Sequence, residues 1–172
     1  WFMYEQVFRK SGPCRRTPWH QASSYLAVDG GHLIVFWFNF APLAKADALE
    51  FVRGSHKGTL YNGSTFNIDD PTEPIYPEDK LPRLPDIDRS PDDWDIVSWA
   101  VEPGDAIAFH PKVLHGGGAT AGATRETLSL RFFGADATYA PRPGPCGPRI
   151  AGLHDSLKNG DAFRHPAFLK LR

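Results

Sequence analysis

The sequence predicts an all-β sandwich or barrel with few short helices, on three observations. Apolar, β-branched and aromatic residues come in short runs, "WFMYEQVFRK", "HLIVFWFNF", "ALEFVRGS", "WDIVSWAVEPGDAIAFH" and "TLSLRFFGADATYA". Gly, Pro and Asp clusters separate these runs, which is the punctuation of strands joined by turns. Within "TLSLRFF", Leu128, Leu130 and Phe132 alternate with Ser129 and Arg131, so one face meets the core and the other is polar, a ligand wall if it points into a barrel.

Between about 59 and 95 the periodicity stops, and the segment "TLYNGSTFNIDDPTEPIYPEDKLPRLPDIDRSPDDW" is rich in Pro and acids. Proline removes ladder donors, so no central strand is expected there. The segment is either a long solvated loop or a lid over a barrel mouth. The tail "GDAFRHPAFLKLR" is too short and Pro-interrupted to form a domain of its own.

With 172 residues, 41% of them apolar, the chain is expected to form one domain over 1–172. Its 19 basic and 20 acidic residues are interspersed, so no electrostatic footprint for a nucleic-acid polymer or a membrane is expected. The longest apolar run is far shorter than the roughly 20 residues of a membrane span, and no signal-peptide pattern opens the chain. A cytoplasmic protein with a small-molecule partner is expected. Cys14 and Cys146 lack metal-site spacing and are read as reduced thiols. Trp1 reads as mid-strand, so further residues are expected ahead of it.

Of the seven histidines, His32, His56, His154 and His165 are expected to be solvated or hydrogen-bonded in the structure. His20 opens a strand after "RTPW", and His115 follows a turn and strand, "PGDAIAFHPKVL", at a Gly-rich exit. Two imidazoles at the ends of facing strands suit a mononuclear iron site, and His110 competes with His115 for the second place. Arg15, Arg16, Arg142 and Arg149 flank strand ends and are read as surface arginines, with a phosphate or carboxylate contact as the alternative. Tyr25 is the candidate substrate-facing residue.

At these residues the chain resembles the phytanoyl-CoA dioxygenase family of Fe(II)/2-oxoglutarate oxygenases. The resemblance runs through "TPWHQ", the strand carrying Trp37, "ALEFVRGSHKG", "PGDAIAFHPKVLHGGG" and "RETLSLRF", five segments in family order. It implies a double-stranded β-helix, a jelly-roll barrel. It implies His20 and His115 as iron ligands and Arg125 as the cation pairing with the distal carboxylate of 2-oxoglutarate, a task suited to a guanidinium. Trp37, Ser129 and Gln6 are implied beside the cosubstrate, and His110 falls outside the triad. Asp47 stands where the family commonly has Gly.

The family pattern is His-x-Asp, and here the third residue is Ala22. Gln21 and Ser23 do not replace the acid, because successive strand side chains face opposite ways. His20-Gln21-Ala22 resembles the variant of the iron/2-oxoglutarate halogenases, in which chloride takes the place and the charge of the carboxylate. That resemblance implies Fe(II), 2-oxoglutarate, O2 and chloride acting on an unactivated carbon of a nucleotide, amino acid or alkaloid-like molecule. The alternatives are a hydroxylase disabled by loss of Asp at position 22, and a non-catalytic binding module on the same barrel.

Overall fold

The computed structural model describes residues 1–171, with backbone alone for 121–123. Ten strands are arranged as two four-stranded sheets and one two-stranded sheet, all paired antiparallel. They are β1 (Phe2–Cys14), β2 (Thr17–His20), β3 (Val28–Asp29), β4 (Leu33–Asn39), β5 (Leu49–Val52), β6 (Ile96–Ser98), β7 (Ala106–Phe109), β8 (His115–Gly117), β9 (Thr120–Phe133) and β10 (Thr138–Tyr139). The larger sheet runs β1-β9-β4-β7 and the smaller β2-β8-β5-β6, with β10-β3 at one end. The one α-helix among the described residues is a single turn, Leu153–Ser156.

The alternation in β4 and β9 decides which face of the larger sheet is interior. In β4, Leu33, Val35, Trp37 and Asn39 are buried, while Ile34, Phe36 and Phe38 are half-buried on the outside. In β9 the buried residues from Arg125 to Arg131 are polar, namely Arg125, Thr127, Ser129 and Arg131, and Phe133 at the strand end joins the apolar core. Leu128, Leu130 and Phe132 are half-buried on the opposite face, where Phe36 and Phe2 pack on Phe132. The polar face is therefore the interior wall that the sequence suggested, but the leucine face is the outside of the sheet and not the core.

The apolar core sits at the ends and flanks of the barrel. Met3, Leu26, Val28, Leu33, Phe133, Tyr139 and Leu153 form its main cluster, closed by Phe163 and Phe168 from the C-terminal tail. Phe163 is fully buried, with ring centroids 5.0 Å from Phe133 and 4.9 Å from Phe168.

The 59–95 segment contributes no named strand. One part packs Leu84, Ile87 and Trp94 against Trp19, Val52 and Leu114 of the smaller sheet, tied there by Arg16, which bridges Glu50 and Asp88. Another part, about Asn62 to Tyr76, turns back on itself through Ser64 and Pro74 and reaches His20. No described helix is long and apolar enough to cross a membrane. Cys14 and Cys146 are free.

Phe163→Ala should lower the unfolding free energy by about 3–5 kcal/mol, because it removes a fully buried ring from a three-ring cluster. A urea titration checks this by a lower midpoint at an unchanged slope.

Candidate active site

The smaller sheet brings His20 and His115 together. They are register partners across β2 and β8, and their ring centroids lie 4.2 Å apart at an interplanar angle of 47°. Each ring is oriented by its own strand in the same way: Nδ1–H of His20 donates to the Pro18 carbonyl (2.9 Å), and Nδ1–H of His115 to the Val113 carbonyl (2.8 Å). Those bonds select the tautomer with a lone pair on Nε2, the form that binds a metal. Burial pushes both pKa values down, His115 well down, with the neighbouring His20 and then Arg131 adding to the effect on His115. Both rings are therefore neutral at neutral pH.

The chain leaves β2 at His20 and enters a 3-10 turn over Ala22–Tyr25. Gln21 is fully buried and its amide is engaged by backbone groups. Its amide donates to the carbonyls of Thr59 and Lys112, and its oxygen accepts from the Tyr61 N–H. Strand alternation is thus not what removes Gln21, since the strand has ended; its three hydrogen bonds are. Ser23 is buried and contributes its carbonyl to Arg142.

His20, Ala22 and His115 line an internal cavity of about 340 Å³ together with Val35, Trp37, Phe109, Arg125, Thr127, Ser129 and Arg131. Among the described residues no acidic side chain lines it, and no cluster of three His, Cys, Asp or Glu side chains is present. Arg125, 8% exposed, donates to the backbone carbonyls of Asp47 (2.7 Å) and Gly118 (3.3 Å), so main chain fixes its guanidinium. Gly118, at φ +60°, is required for this: a Cβ there would lie 2.2 Å from the Asp47 oxygen and 2.3 Å from Arg125 Nη1. Asp47 acts through that carbonyl. Trp37 and Ser129 are register partners on the cavity wall. Gln6 is opposite Ser129 in the register but is exposed and outside the cavity lining, whereas Lys10 of the same strand lines it. Lys10 donates to Arg15 and Gly118 carbonyls.

Arg131 is the residue that the sequence reading passed over. It is 8% exposed, its Nε and Nη1 have no hydrogen-bond partner, and its guanidinium lies 4.7 Å from the centre of the Tyr4 ring with no carboxylate paired to it. A buried cation in that state is costly unless an anion joins it. The signal was present, since Arg131 shares the inward parity of Arg125 and Ser129.

The other candidates are placed elsewhere. His110 accepts from the Lys112 N–H and bonds the Gly30 carbonyl, a structural role outside the cavity. His32 pairs with Asp136, His154 with Tyr139, and the His165 ring accepts from Ala167. Arg142 is held by Asp29 and the Ser23 carbonyl, and Arg149 lines a separate open cleft with Cys146 and His154. Tyr25 does not line the cavity: its hydroxyl, pushed up to about 12 by burial, is bonded to the Ser64 backbone, and its ring lies 6.2 Å from His20.

Because both imidazoles bind protons less readily folded than unfolded, the metal-free protein should lose stability as pH falls below about 6.5, where the unfolded chain takes up protons. Urea midpoints measured between about pH 5 and 7.5 should fall less steeply in His115→Gln. Parallel profiles would contradict the neutral pair.

Comparison with solved structures returns the same architecture. The epimerase SnoN in complex with Fe3+, alpha ketoglutarate and nogalamycin RO aligns with a TM-score of 0.64 at 16% identity, covering 96% of this chain and 62% of that one. The carbocyclase SnoK from nogalamycin biosynthesis aligns at 0.59 and 19% identity, over 95% and 59%. EvdO2 from Micromonospora carbonacea var. aurantiaca, complexed with 2-oxoglutarate, aligns at 0.60 and 20%, over 83% and 55%. The chain thus spans about three fifths of the length of these neighbours. A search of curated proteins gave no match. Residues 2–127 match the family model described as phytanoyl-CoA dioxygenase (PhyH), and the chain belongs to that family.

Proposed function

We propose that the protein is an Fe(II)/2-oxoglutarate-dependent halogenase that replaces a hydrogen on an unactivated carbon of a small molecule by chlorine. The observation that carries the reading is the charge of the cavity: Lys10, Arg125 and Arg131 line it together with Arg9, which is paired with Glu126, and no acid among the described residues does. Two neutral imidazoles with exposed Nε2 lone pairs fit a divalent metal but leave its charge uncompensated. A 2-oxoglutarate dianion meets Arg125, whose planar fork suits a carboxylate. One further monoanion is still called for, at the methyl of Ala22 and within the field of Arg131. Chloride meets that description; a side-chain carboxylate is not there to do so.

Iron and 2-oxoglutarate supply, when bound, the oxidising power for attack on the substrate C–H bond. The overall reaction consumes R–H, 2-oxoglutarate, O2, chloride and a proton, and yields R–Cl, succinate, CO2 and water. This chain's residues bind and orient. The Pro18 and Val113 carbonyls fix the ligand tautomers, Trp37 and Ser129 wall the cosubstrate, and the apolar side chains Val35 and Phe109 exclude water. A hydroxylase-type enzyme disabled at position 22 is the second reading; it draws support from the neighbours, an epimerase and a carbocyclase by name.

Anaerobic titration with Fe(II) and 2-oxoglutarate, with and without chloride, should give a visible charge-transfer band whose position or apparent affinity depends on chloride. A weak band indifferent to chloride would favour the disabled hydroxylase. Ala22→Asp should abolish the chloride dependence, since the carboxylate fills the halide position. Arg131→Met should raise the chloride concentration needed for half the effect by about tenfold or more, the magnitude of one lost hydrogen bond to a charged group.

A further inference from the structure

We infer that Phe66 is the substrate-recognising residue of the 59–95 segment, and that the substrate presents a flat, π-rich ring to it. Within the described residues Phe66 is the one non-glycine residue in the left-handed backbone region, at φ +59°. An aromatic side chain is sterically penalised there, and such strain persists only where the surroundings impose it.

Here they do. Tyr25, from the turn that follows His20, grips Ser64 by donating to its carbonyl (2.9 Å) and accepting from its N–H (2.7 Å). Ser64 Oγ donates to the Pro71 carbonyl and accepts from the Phe66 N–H (2.9 Å). Gly63 lets the Tyr25 ring approach, because a Cβ would come within 2.9 Å of it. The Phe66 ring then stacks on Tyr25, with centroids 5.8 Å apart and planes 19° from parallel, and meets His20 edge-on at 5.2 Å.

Burial does not repay this arrangement, since Phe66 remains 41% exposed. Tyr25 and His20 cover part of the ring, and the remainder is open. The ring stands beside the imidazole that faces the reaction centre. A strained, exposed aromatic ring next to a candidate metal ligand is suited to stacking on a planar ring. The inference rests on the proposed function only for calling that ring a substrate.

The test uses two probes of equal size and opposite shape, planar 2-naphthol and puckered trans-2-decalol. Binding is read by ligand-observed NMR on the full chain, both metal-free and loaded anaerobically with Fe(II) and 2-oxoglutarate. Phe66→Leu keeps apolar bulk and removes the π face, so it should weaken 2-naphthol about fivefold, the scale of one aromatic pair, and leave decalol within about twofold. Phe66→Gly should bind 2-naphthol still more weakly while unfolding at a urea concentration no lower than wild type, because it releases the backbone strain. Equal losses for both probes in Phe66→Leu, no binding of 2-naphthol by wild type, or a destabilised Phe66→Gly would overturn the inference. The metal-free arm keeps this outcome separate from the fate of the iron reading, which the charge-transfer band alone decides.

Discussion

The pairing of His20 with His115 across β2 and β8 is the constraint on which the rest of the site depends. It is a register statement: slipping either strand by one residue would turn one imidazole to the outer face, where the smaller sheet meets Trp19 and Leu114. The neighbouring sequence serves that register. Gly118 after β8 clears room for Arg125, and Gln21 ties the end of β2 to the Thr59 and Lys112 carbonyls. The long proline-rich segment packs on the outside of the same sheet and holds it from behind.

Electrostatics follows from the pairing. Burial holds both imidazoles neutral, and at His115 the neighbouring His20 adds to it, so the lone pairs are available at neutral pH. Around them the interior of β9 offers guanidinium groups where a core strand would offer leucines. Arg125 is anchored by backbone carbonyls, whereas Arg131 has unpaired nitrogens and only an aromatic ring beneath it. Under the proposed function, that asymmetry separates the partner of a carboxylate, Arg125, from the partner of a compact anion, Arg131.

Much of this was legible in the chain, for physical reasons. Short apolar runs and turn residues announced antiparallel strands, and the alternation in "TLSLRFF" announced a polar wall, because period two is the direct imprint of a pleated strand. The alternation did not say which face was inside: a cavity-bearing barrel inverts the usual rule, and the leucines lie outward. The family motifs placed His20, His115, Arg125, Trp37 and Ser129 in one cavity, but Gln6 missed it, since a long edge strand is exposed along its middle. Arg131 was on the polar face that the alternation announced, but no motif of the resemblance assigned it a role. Phe66 was beyond sequence reasoning, because its position depends on a chain of hydrogen bonds through Ser64 that only the folded segment creates.

The most direct test of the central claim is anomalous X-ray diffraction from crystals grown with Fe(II) and 2-oxoglutarate and soaked in bromide. The account predicts one ordered bromide inside the cavity, between the Ala22 methyl and the two Nε2 atoms, and its disappearance in Ala22→Asp. A cavity free of bromide while iron and 2-oxoglutarate are in place would contradict it, and position 22 would then be a lost ligand with nothing in its stead.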